Sequence, residues 1–154
     1  MNAEDLWKIA CFDIWVENDD RKPSNPNLLL QITDKGTKIF AIDHAFTFLT
    51  LPYKNIDVNW GVSQGFNDNI LETDLAKEIL QGKARKSEFR EMSKDFFFQK
   101  VEESKAVFHQ ILQNIPTEFE LDTEDHQSLV HFLFDENRNQ QVINYFFEHL
   151  DEYA

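Results

Sequence analysis

A chain of 154 residues with 42% hydrophobic content can bury one real core and is too short for two ordinary domains, so a single domain over residues 1–154 is expected. Twenty-eight acidic against fifteen basic side chains leave a formal charge of -13. That charge repels nucleic-acid backbones and anionic lipid, so neither is an expected partner and a basic protein surface is the better one. No apolar run nears the roughly 20 residues that cross a bilayer, and the first residues lack the basic-then-apolar layout of a secretory signal, so a soluble, cytoplasmic chain is expected. Cys11 is the one cysteine, which excludes an internal disulfide and reads as a small core residue.

Residues 4–17 set Leu6, Ile9, Ala10, Phe12, Ile14 and Val16 among polar residues at largely helical spacing, which predicts an opening helix ending near Asn18. Asp13, inside that helix, either turns inward as a hydrogen-bonding partner or faces water. Residues 18–26 hold two prolines and several turn-prone Asn and Asp residues, so a structured loop follows, with Asn18 capping the helix end. Residues 28–32 and 38–42 are strand-like runs, and Asp34 and Gly36 in the connection 33–37 fit a tight turn, so a β-hairpin is expected. Residues 51–69 lack periodicity and read as an irregular segment pinned by Trp60 and Phe66.

The remainder reads as helix. A short helix over 71–80 should stop before Gly82, and a long one over 87–114 carries Phe89, Met92, Phe96, Phe97, Val101, Phe108, Ile111 and Leu112 on an apolar face. Past Pro116, Asp122 or Thr123 can cap a helix reaching about Phe134, and a break at 135–137 leads into a last helix through Leu150. The basic cluster Lys83, Arg85, Lys86 and Arg90 reads as a solvated helix face. His126 and His131 stand five apart rather than at the three- or four-residue spacing of zinc pairs, and with His109 and His149 make no metal pattern. The fold class that emerges is α+β and predominantly helical, a small β-hairpin followed by a helical bundle.

The loop and hairpin carry the chemistry. Phosphoryl transfer needs a carboxylate to orient or deprotonate the acceptor, and hard oxygen ligands that hold magnesium against the phosphates. Asp20 sits in the loop, Asn25 and Asn27 follow it, and Asp43 lies just beyond the second strand. A hairpin of this length returns the chain to its start and can bring Asp43 close to Asn25 or Asn27.

The residues Phe12, Asp13, Ile14, Trp15, Asn18, Asp20, Arg21, Lys22 and Asn27 through Leu30, then Ala41 through Phe46, resemble the HipA-like kinase family, whose catalytic core is related to that of the phosphatidylinositol 3- and 4-kinases. The likeness covers about residues 10–48, with the helical remainder at 70–152. It implies a kinase-like C-terminal lobe using ATP and magnesium, with Asp20 as the catalytic base, Asn25 or Asn27 as the metal-binding amide, and Asp43 as the metal-binding carboxylate. Asn18, Arg21, Lys22 and His44 would support them, Lys22 standing where many relatives carry His. No Gly-rich phosphate loop and no strand lysine precede the motif, so the expected partner is a protein or segment supplying the N-terminal lobe, or a regulatory protein. The alternative is a non-catalytic, kinase-like interaction module. The phosphoryl acceptor is not encoded in any readable motif.

Overall fold

A computed structural model of the chain describes residues 3–48, 55, 56, 62 and 69–152. The irregular segment expected over 51–69, with Trp60 and Phe66, lies almost entirely outside the described residues. The fold is α+β and mostly helical, with α1 (Ala3–Val16), β1 (Leu28–Thr33), β2 (Gly36–Ala41), α2 (Asp74–Ala84), α3 (Ser87–Gln113), α4 (Thr123–Phe134) and α5 (Glu136–Asp151). Among the described residues no helix is long and apolar enough to cross a membrane.

The opening helix is the centre of the molecule. Leu6, Ala10 and Ile14 are fully buried on one stripe, Trp7 and Cys11 extend it, and α1 packs against α5, α2 and the hairpin. Burial pushes the Cys11 thiol far up, so it stays protonated and behaves as hydrocarbon-like filler. α5 answers with Val142, Ile143, Phe146 and Leu150, and α2 with Ala76, Leu80 and Ala84 at every fourth residue. α3 adds Phe89, Phe97 and Val101, and the rings pack edge to face, Trp7 on Phe96 at 5.1 Å and Trp15 on Phe97 at 6.5 Å and Phe134 at 6.1 Å.

Four boundaries differ from the sequence expectation. The hairpin closes more tightly than a five-residue connection: β1 and β2 pair antiparallel from Leu28↔Ala41 to Thr33↔Gly36, leaving only Asp34 and Lys35 in the turn. Gly36 makes this possible by taking φ 126°, a conformation a side chain would oppose. α2 runs through Gly82 to Ala84, because Leu80 and Ala84 are both fully buried and their packing outweighs the roughly 1 kcal/mol that an exposed mid-helix glycine costs. The helix also starts later, at Asp74, since the Thr73 side chain caps it by accepting from the Ala76 amide, while residues 70–72 form a separate 3-10 turn. Finally, the break between the last two helices is one residue, Asp135, whose amide still bonds to His131 while its carboxylate caps α5 at the Arg138 amide. Asp122 is the cap of α4, in a reciprocal capping box with Asp125.

Candidate active site

The loop between α1 and β1 begins with a helix terminus built on a left-handed residue. Glu17 takes φ 48°, the Asn18 amide bonds to Asp13 O at 2.9 Å and the Glu17 amide to Ile14 O at 3.3 Å, the two bonds of a Schellman cap. Glycine usually fills the left-handed place; Glu17 pays the steric penalty and uses its side chain elsewhere. Asn18 then turns the chain, its side-chain oxygen accepting from the Asp20 amide at 3.3 Å while its Nδ2 donates to Asp13 Oδ1 at 3.2 Å.

Asp13 is therefore the inward partner of the loop. Its carboxylate is fully buried and forms an ion pair with Arg21 Nε at 2.7 Å, Arg21 being fully buried too. Burial raises the Asp13 carboxyl to about 6, against the opposing pull of Arg21 and Asn18. Arg21 Nη1 reaches the backbone oxygens of Asn27 and, at 2.9 Å, Ile42. One guanidinium thus ties the end of α1, the start of β1 and the exit from β2 together.

That frame presents Asp20. Asn25 Nδ2 donates to Asp20 Oδ1 at 2.9 Å and Asn27 Nδ2 to Asp20 Oδ2 at 2.8 Å, so each carboxylate oxygen is held by a different asparagine. Lys22 and Asn25 exchange backbone bonds of 3.2 and 2.9 Å across Pro23 and Ser24, which folds the chain back and returns Asn25 to Asp20. Both amide donors are spent on Asp20, which leaves both side-chain carbonyl oxygens as acceptors for a cation. Asn27 and Asp43 are in the left-handed region, at φ 44° and 57°, a strain that persists where surrounding structure over-determines it. The Ile42 amide bonds to Asn27 O at 3.0 Å, so the ladder extends one pair beyond β1 and β2, and Asp43 is the next residue out. Asp43 is exposed and closes a turn by accepting from the Ala45 amide. His44 is exposed as well, with its ring against Phe12 at 5.7 Å; partial desolvation and the nearby Arg21 charge lower its pKa, against the pull of Asp43.

The structure brings Asn18, Asp20, Arg21, Asn25 and Asn27 into one bonded cluster, with Asp43 joined to it through Ile42 and Lys22 through its backbone. A second buried pair had no place in the sequence reading. Arg138 of α5 is fully buried and donates through Nη2 to Trp15 O at 2.9 Å and Glu17 Oε1 at 3.3 Å, while its guanidinium stacks 3.4 Å from the Phe132 ring centroid. Trp15 Nε1 and Asn139 Nδ2 donate to Leu133 O at 2.9 and 3.0 Å, so side chains of α1 and α5 satisfy the carbonyl end of α4. The signal was present: Arg138 stands four residues before Val142 and eight before Phe146, on the buried stripe.

A family model, that of the HipA-like kinases, matches residues 1–148. The chain belongs to the HipA-like kinase family. A search of the curated proteins and of the solved structures returned no match.

Proposed function

We propose that the chain supplies the catalytic loop and metal ligands of a HipA-like kinase, a kinase-like C-terminal lobe for ATP- and magnesium-dependent phosphoryl transfer. The observation that carries the reading is the Asp20 carboxylate held at both oxygens by Asn25 and Asn27. A carboxylate fixed in this way keeps lone pairs for an acceptor hydroxyl, orients it, and takes its proton as it reacts.

The donor set suits magnesium, which binds through one or two carboxylates together with phosphate oxygens and water and does not require an all-protein cage. Asp43 would supply the carboxylate and Asn27 the amide oxygen. Asn27 is favoured over Asn25 because its backbone pairs with Ile42, the neighbour of Asp43. When bound, the ion would neutralise charge on the transferring phosphates. Leu29, Phe40 and Ile42 share one exposed face of the hairpin that continues directly from Asn27. An apolar platform beside hydrophilic ligands fits a surface on which a second lobe, and the nucleotide between, closes. The phosphate-clamping loop and lysine would come from outside these 154 residues.

Calorimetry of the chain with magnesium and ATP tests the reading. Weak binding, abolished by Asp43→Ala and by omitting magnesium, is expected without the second lobe. Tight binding that Asp43→Ala leaves unchanged would sink the assigned metal role.

A further inference from the structure

The hairpin has one guarded edge and one open edge. On β2, the outward amide of Ile39 is capped by the Asp5 carboxylate of α1 at 3.0 Å. Since Asn27 and Ile42 exchange a ladder bond, the alternation along the strands places Leu29, Gln31 and Thr33 in hydrogen-bonded pairs with β2, and turns the amides and carbonyls of Leu28, Leu30 and Ile32 outward. Along this edge Leu30 is 47% and Ile32 82% exposed, while Leu28 at its start is partly buried against the core. Edge strands ordinarily carry a charge, a proline or a bulge that blocks pairing, and Leu-Leu-Leu-Gln-Ile-Thr has none.

Backbone donors and acceptors repeating every second residue are complemented only by another strand. We propose that the strand is β1 of a second copy of this chain, paired antiparallel about a two-fold axis at Leu30 to make a four-stranded sheet. The sequence is self-complementary in that register. Leu30 faces the partner's Leu30, and Leu28 faces the partner's Ile32, so every outward-facing residue meets an outward-facing residue and all the side chains in those pairs are apolar. β1 carries no charge, so in a chain at -13 the paired strands themselves set no carboxylate opposite another. The same register sets the partner's Thr33 across from Asn27, and so brings the turn of each copy beside the Asp20 cluster of the other.

The pairing stands apart from the phosphoryl-transfer reading, and its test uses no nucleotide. Sedimentation of the full chain between about 10 µM and about 1 mM, the span of moderate to weak dissociation constants, should show a monomer giving way to a dimer. Leu30→Lys sets two ammonium groups opposite each other at the axis and should hold the chain monomeric, whereas Phe40→Lys, on the hairpin face, should leave the dimer intact. If Leu30→Lys unfolds by circular dichroism, the more exposed Ile32→Lys replaces it with the same expectation. Hydrogen exchange should show the Leu28, Leu30 and Ile32 amides slowing at least tenfold with concentration. A monomer throughout, a dimer that survives Leu30→Lys but not Phe40→Lys, or concentration-independent exchange at these amides would overturn the proposal.

Discussion

The root of the loop that carries Asp20 and the hairpin that leaves it invert one another. At the root, four charged side chains, Asp13, Glu17, Arg21 and Arg138, lie buried; on the hairpin a few residues away, Leu29, Leu30, Ile32, Phe40 and Ile42 stand in solvent. Buried charge costs several kcal/mol per ion and is offset only by good geometry, and Arg21 Nη2 and Arg138 Nε have no hydrogen-bond partner among the described residues. A core optimised for stability alone would use hydrocarbon there. The pairs are better understood as fixing one loop conformation, since Arg21 spans Asp13, Asn27 and Ile42, and Arg138 spans Glu17, Trp15 and Phe132. The hairpin shows the opposite pattern: apolar surface left exposed among the described residues is available to something outside them.

The largest expected effect breaks the root. Arg21→Met should cost about 3–5 kcal/mol, because it leaves the Asp13 carboxylate buried without its partner and frees the Asn27 and Ile42 carbonyls. Urea denaturation measures it. A cost below about 1 kcal/mol would mean that the pair does not hold the loop, and the inversion would lose one of its sides.

A smaller effect comes from pH. The folded Asp13 carboxyl titrates at about 6, above its ordinary value of 3.8, because burial disfavours the charge more than Arg21 and Asn18 favour it. The folded state therefore binds more protons than the unfolded state between those values. This contribution to stability is fully present below about 3.8 and is lost as pH rises through about 6. Asp13→Asn removes it, so the stability of the parent relative to Asp13→Asn should fall between pH 4 and 6 and level off above, as read from denaturation midpoints at fixed ionic strength. A difference that rises over this range would show that Arg21 dominates and holds the carboxyl low.

The fold was largely legible because hydrophobic periodicity carries it: the opening helix, the hairpin and the long third helix follow directly from the spacing of Leu, Ile and Phe. Asp20, Asn25, Asn27 and Asp43 stood out by residue type and order within one short stretch. What periodicity could not decide was the direction of Asp13, since an Asp on a helix buried nearly all round has no solvent side that marks it as outward. The Glu17–Arg138 pair was hidden for another reason. Its partners lie 121 positions apart, and Glu17 occupies a left-handed cap position where sequence rules look for glycine. α2 overran Gly82 because local propensity yields to the burial of Ala84.

The smallest effect sharpens the comparison from the hairpin side. Ile39 and Phe40 are adjacent on β2, yet Ile39 is buried against the core and Phe40 stands 44% exposed. Ile39→Val deletes a single methylene and should still cost about 0.5–1.5 kcal/mol, whereas Phe40→Ser deletes a whole ring and should cost within about 0.5 kcal/mol. The order reverses what side-chain size predicts, and it follows only if the hairpin face contributes nothing to the isolated chain. A Phe40→Ser cost above that of Ile39→Val would mean that the ring is packed within the chain in solution. The platform beside Asn27 would then be part of the molecule's own core, and no longer the surface proposed for a second lobe.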